Sequence, residues 1–187
     1  MKIDNIQIYG LHQSMVRSGY PMATEIEVHV AETNDMHRAF KLGNAPAGSG
    51  HDNFLKGIIV QCDIEAPSYW WPQFQRYHFA DIISSQSKMH KITQFDLEEQ
   101  CSPETDWRII QIAIDWIDQY KDGKCDLEDV LSNIPQGLEL TAAVTTNYLQ
   151  LKTMYAQRKN HKLKMWNTVF REFVEGLPYA VELGVTK

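Results

Sequence analysis

The chain has 187 residues, 24 acidic against 18 basic side chains, a formal charge of −6 and 43% hydrophobic residues. That supports one domain burying about 70% of its unfolded-chain surface, and 22% charged residues exclude global disorder. No stretch approaches the roughly 20 apolar residues of a membrane helix, the start MKIDNIQIYG has no apolar signal region, and the acidic balance argues against bulk nucleic-acid binding.

Cys62, Cys101 and Cys125 lack CxxC spacing, so neither a disulfide framework nor a zinc knuckle is expected. The expectation is a cytoplasmic protein without a membrane partner, organised as one domain over 1–187.

Along the chain, Lys2 to Tyr9 predicts a strand with Ile6 and Ile8 on one face. Glu25 to Val30 alternates apolar and polar residues and predicts a second. Asn34 predicts the cap of a helix through Leu42, ended by Gly43. Residues 43–52, GNAPAGSGHD, read as a connector or as a phosphate cradle, without the Lys-Ser/Thr ending of a P-loop. Gly57 to Ala66 predicts a strand with Ile58, Val60, Cys62 and Ile64 facing a core.

Pro72 predicts a helix start that places Gln73, Arg76 and Tyr77 on one face. Ser102-Pro103 predicts the start of a helix with Trp107, Ile110, Ile114 and Ile117 as its core stripe and Gly123 as its end. Pro135-Gln136-Gly137 breaks the chain before a predicted long helix from Leu138 to Lys159. A last amphipathic helix carries Trp166, Phe170, Phe173 and Leu177. Early strands and late helices predict an α+β fold, a mixed sheet covered by long C-terminal helices.

The densest polar segment is 73–90, QFQRYHFADIISSQSKMH. Its donors suit an anion with a planar polar head, such as a nucleotide, because Arg presents a fixed fork to phosphate or carbonyl oxygens and Gln reads an amide edge. From composition alone it reads first as a solvated helix end. Asn147, Leu151, Met154 and Arg158 recur at helical spacing, which puts Asn147 and Arg158 about 16 Å apart along an axis. That span suits two ends of an extended ligand, or else a helix contact and a cation at a helix C-terminus.

The run Arg158-Lys159-Asn160-His161-Lys162 with Lys164 is a basic patch that suits phosphates or solvent. No HExxH or HxxxH pair points to a metal, and no GxSxG elbow to a serine nucleophile. Tyr69 and the Trp70-Trp71 pair read as core or interface packing, or as a surface that stacks on a flavin or a base.

Two blocks carry a resemblance. Gly50-His51-Asp52, the apolar strand after it, Gln73-Phe74-Gln75-Arg76-Tyr77-His78 and the polar stretch to Lys88 are one. Pro135 to Trp166, with Asn147, Arg158 and Trp166 at matching spacing, is the other. Together they resemble the flavin-dependent thymidylate synthase (ThyX, thymidylate synthase complementing) family.

The resemblance implies a homotetramer with sites shared between subunits. The implied reaction methylates the uracil ring of dUMP, with methylenetetrahydrofolate as carbon donor and FAD/NADPH as reductant. Gln73 and Arg76 are implied for the nucleotide and Asn147 for FAD; Lys88 is a further candidate for the nucleotide, and His51 and His161 are further candidates for FAD. Arg158 is implied as the group that polarises the pyrimidine carbonyl as negative charge develops, with Ser87 and His78 handling or orienting a proton.

Several motif positions depart from the family. Tyr77 and His78 stand for the second and third residues of the R-H-R motif, Met89 for the arginine of S-x-R, and a serine (Ser84 or Ser85) for the glutamate. Leu149 replaces the arginine of N-x-R, and Asp129-Val130-Leu131 carries no arginine ahead of Pro135. Each lost arginine removes a charge-assisted contact worth about 1.5–3 kcal/mol. A competing reading is therefore a non-catalytic interaction or inhibitor protein, of the kind phages and mobile elements encode. It would meet a basic partner through the acidic stretch from Asp96 to Asp129.

Overall fold

Burial alternates residue by residue along Ile59–Pro67, with Val60, Cys62, Ile64 and Ala66 buried. This is the period-two signature of a strand. The computed structural model describes residues 1–26, 29–46 and 48–187. Its strands are β1 (Lys2–Tyr9), β2 (Ile59–Pro67), β3 (Asp81–Ser85) and β4 (Glu139–Asn147), in the sheet order β1-β2-β4-β3. The helices in chain order are α1 (Leu11–Arg17), α2 (Thr33–Gly43), α3 (Trp71–Phe74), α4 (Lys88–Lys91), α5 (Leu97–Gln100), α6 (Trp107–Lys121), α7 (Leu127–Ser132) and α8 (Tyr148–Arg158). A π-helical turn, Met165–Phe170, then runs into α9 (Arg171–Glu175). The class is α+β, as expected. No helix among the described residues is long and apolar enough to cross a membrane.

The chain divides into two compact units. The first comprises 1–2, 63–78 and 82–144. Its core is built from Ile92, Leu97, Cys101, Ile110, Ala113, Ile117, Val130, Ile134 and Leu138. Asp106 caps α6 by accepting from the Arg108 N–H. Gly123, at φ 69°, closes the helix, with its N–H on the Tyr120 carbonyl and the Lys124 N–H on that of Gln119. This left-handed closing turn satisfies carbonyls that the helix end would leave open. Trp70, Trp71 and Phe74 form a second, aromatic cluster, with Trp70 and Phe74 stacked at 5.2 Å, so the tryptophan pair is core.

The second unit comprises 3–62, 79–81 and 145–187. Helix α2 opens on a reciprocal cap between Glu32 and Asp35. Helix α8 buries Tyr148, Leu151, Met154 and Tyr155. Two phenols on that face reach the C-terminal segment: Tyr148 Oη donates to the Pro178 carbonyl at 2.8 Å, and Tyr155 Oη to Glu175 at 2.6 Å.

Several expected elements change. The long helix over 138–159 is β4 followed by α8. Its first half is the Thr- and Val-bearing stretch Glu139–Asn147, whose β-branched residues fit a half-buried strand. The helix opening at Pro72 is a single turn, so Arg76 and Tyr77 lie beyond it and share no helical face with Gln73. Ile6 is 45% exposed. Trp107 is 70% exposed and outside the α6 core stripe, because the buried face runs through Ile110, Ala113 and Ile117. Of the strand expected over 25–30, residues 25, 26, 29 and 30 are in no strand. Glu27 and Val28 lie outside the described residues.

Candidate functional site

In the second unit the site elements gather around α8. Asn147 is the N-cap of this helix, and its Oδ1 accepts from the Gln150 N–H at 2.9 Å. Arg158 is the last helical residue. The two expected ligand contacts therefore sit at opposite ends of one 11-residue helix, and Asn147 is spent in part on capping.

The exposed side of α8 lines two cavities that share Leu149 and Thr153. The smaller, about 380 Å³, also touches Lys56, Phe79, Asn147 and Gln150. The larger, about 830 Å³, lies between α8 and the small-residue loop and adds Lys152, Ala156 and Gln157. Lys152 is tied down inside this region. Its ammonium donates to Asp52 Oδ2 and to the Gly43 carbonyl, each at 2.8 Å. His51 is exposed on the same loop, between Gly50 and the buried Asp52.

At the far end of α8, the Arg158 guanidinium carbon lies 4.8 Å from the centroid of the Trp166 ring. Trp166 is fully buried. The chain then turns back on itself: the His161 N–H donates to the Arg158 carbonyl at 2.9 Å. His161 Nδ1 accepts from the Leu163 N–H at 3.1 Å. Burial, then the charges of Arg158 and Lys162, hold the His161 pKa below its usual value. The accepting Nδ1 and this lowered pKa together favour a neutral ring that carries its proton on Nε2.

In the first unit, Gln73 is half-buried in α3, while Arg76 and His78 are exposed in the turn after it. Ser87 caps α4, its hydroxyl accepting from the His90 N–H at 3.3 Å. Lys88 lines a cavity of about 230 Å³ with Trp71, Gln75, Ser85 and Gln86. Gln86 extends the pairing of β3 with β4: its side-chain oxygen accepts from the Thr141 N–H at 2.9 Å. Among the described residues no group of three or more His, Cys, Asp and Glu could hold a metal ion.

Sequence reasoning missed Lys152, Thr153 and Gln157 as cavity walls, and named Asp52 only within the 43–52 loop and the Gly50-His51-Asp52 segment. The signal for the first three is helical spacing, Leu149, Lys152, Thr153, Ala156 and Gln157 falling on one side of α8.

No protein-family profile matches the sequence, and no curated protein matches it. Solved structures do. One ThyX structure from Helicobacter pylori, with FAD and dUMP, superposes with a TM-score of 0.79 at 12% identity, over 100% of both chains. A second from the same organism, also with FAD and dUMP, gives 0.77 at 12% identity, over 99% of this chain and 98% of the other. The fold is that of ThyX. The UMP/dUMP methylase PolB from Streptomyces cacaoi, bound with 5-Br dUMP, shares it at a TM-score of 0.69 and 12% identity, over 99% of this chain and 92% of PolB. The ThyX fold thus extends across the whole chain, including both blocks that carried the sequence resemblance and the segments between them.

Proposed function

We propose that the protein binds a pyrimidine nucleotide and a flavin, and that it methylates the uracil ring as the dUMP-to-dTMP type of reaction requires. The observation that carries this reading is Arg158. It closes α8 with its guanidinium laid on a buried indole, in a fold shared with proteins solved with dUMP and FAD. A guanidinium held this way meets a ring carbonyl or a phosphate with a fixed N–H edge. It stabilises negative charge developing on the pyrimidine oxygen when the ring is attacked. Gln73, Arg76 and Lys88 take the polar head of the nucleotide, and His78 and Ser87 orient or relay a proton.

The α8 cavities fit a flavin. Asn147, Gln150, Thr153 and Gln157 supply amide and hydroxyl groups around space large enough for a tricyclic ring, and Leu149 gives that ring an apolar surface. Lys56 and His51 stand on the opposing segment, with His161 beyond the end of the helix. When bound, the flavin supplies the electrons that reduce the transferred carbon. The chain's own residues hold and orient it and limit water in the cavity. The working form is a homo-oligomer, a tetramer if assembled as the family resemblance implies.

Purified protein tests the reading. The expected results are flavin absorbance in the blue and a raised melting temperature with dUMP but not with a purine nucleotide. The dUMP response is weakened in Arg158→Ala. A colourless protein whose melting temperature no pyrimidine nucleotide moves overturns it.

One observation favours the second reading, a non-catalytic protein-interaction role. Helix α6 leaves Trp107, Ile109 and Ile112 exposed at 70%, 48% and 52%, beside Asp115 and Asp118. Wild-type behaviour of Arg158→Ala in cells, with loss of function in Ile112→Lys, selects that reading.

A further inference from the structure

Arg158 ends α8, where the helix dipole favours a cation. Its guanidinium carbon lies over the Trp166 ring. The π-helical turn Met165–Phe170 sets that indole, with Phe170 packed edge-on at 5.1 Å and 71°. The His161 ring stands near the same indole at 6.5 Å and 69°, and Asn167 Nδ2 donates to the His161 carbonyl at 2.6 Å. The turn that returns the chain to Arg158 is therefore braced from the same helix that holds Trp166.

We propose that Trp166 is the positioning residue of Arg158: its buried face fixes the plane of the guanidinium that meets the nucleotide. The inference rests on the assignment of Arg158 made above. Stacking on an indole engages the flat face of the guanidinium, not its N–H edge. It removes rotamer freedom that the side chain would otherwise lose when the ligand arrives. His161, held neutral, adds no second positive charge against the same ring.

The test has two arms. The first needs no ligand. In an NMR spectrum of the whole protein, the side-chain Nε–H of Arg158, identified by its loss in Arg158→Lys, is shifted upfield by the indole ring current. The shift falls in Trp166→Phe and vanishes in Trp166→Leu. An unshifted Arg158 signal in the wild type overturns the proposal.

The second arm is calorimetric titration with dUMP. Trp166→Leu weakens binding about threefold to thirtyfold, the range of a cation–π contact from exposed to desolvated. Trp166→Phe recovers most of the loss. In an Arg158→Gln background Trp166→Leu changes the dissociation constant by less than about twofold. Equal weakening in both backgrounds makes Trp166 packing alone and overturns the proposal. If Trp166→Leu does not fold, Trp166→Phe in the two backgrounds decides. If the wild type binds no dUMP, the functional reading fails and the first arm still judges the pairing.

Discussion

Lys152 and Asp52 form a buried ion pair beside the cavity between α8 and the small-residue loop, Nζ to Oδ2 at 2.8 Å, with side chains only 14% and 8% exposed. The same ammonium holds the Gly43 carbonyl, so one side chain on α8 fastens both ends of the small-residue loop. Removing one partner strands the other charge in a poorly solvated place. Lys152→Met is expected to cost about 3–5 kcal/mol, the range for breaking a buried pair, read as a lowered urea midpoint. Lys152→Met combined with Asp52→Leu should recover part of that loss. Additive losses in the double variant would contradict the pairing.

Asp35 gives the protein an acid-sensitive clamp. The Glu32 N–H is the largest cause, followed by Arg38, with His29 adding a smaller share; together they hold the Asp35 carboxyl at about 2. The folded pKa lies below the unfolded one, near 3.9. The stabilisation is thus present above about pH 4 and drains away as the pH falls toward 2. The shift corresponds to a contribution on the order of 2 kcal/mol at neutral pH. Denaturation midpoints should therefore separate wild type from Asp35→Asn at pH 7 and converge near pH 2. A gap that is unchanged at pH 2 sinks the prediction.

Gly43 has no room for a side chain. A Cβ there would press into the Leu183 carbonyl, a backbone group that cannot rotate aside. Gly43→Ala is expected to cost about 1–3 kcal/mol, as overpacking does, and to raise the hydrogen-exchange rate of the 183–185 amides. Unaltered exchange there would show that the C-terminal segment does not rest on α2.

Helix α6 supplies the test of self-association. Ile109 and Ile112 lie on its exposed side, where lysine costs little within one chain but disrupts an apolar contact between chains. Ile112→Lys should reduce the molar mass measured by light scattering while leaving the melting transition of the isolated chain within about 0.5 kcal/mol. An unchanged oligomer places the contact elsewhere.

Much of the fold was legible where pattern and punctuation agreed. Helix α2 and strand β2 fall close to the expected spans, because their periodicity is bounded by Gly43 and Pro67. The end of α6 was readable for the same reason, since Gly123 adopts the left-handed turn that glycine favours. The failure at 138–159 has a physical cause. Nothing between Val144 and Leu149 breaks a helix, and Asn147, the residue that starts α8 by capping it, looked like an interior helical position.

At the site, Arg158 and Asn147 were visible through spacing. The bed beneath Arg158 was not, because Trp166 reaches it only through the turn at 159–164, whose path depends on the His161 contacts. The loop at 43–52 was readable only as small and permissive. Its anchorage by Lys152 comes from a partner about a hundred residues away, which local sequence cannot announce.

Every strand changes membership between the two units along its length: β1 after Lys2, β2 after Cys62, β3 after Asp81 and β4 after Val144. Neither half is thus encoded by an uninterrupted stretch of gene. No single truncation liberates one, and no simple recombination event can trade one for a relative's. Substitution within the shared strands and their loops is the change such a layout accommodates, and it can alter a motif while leaving the architecture as it is.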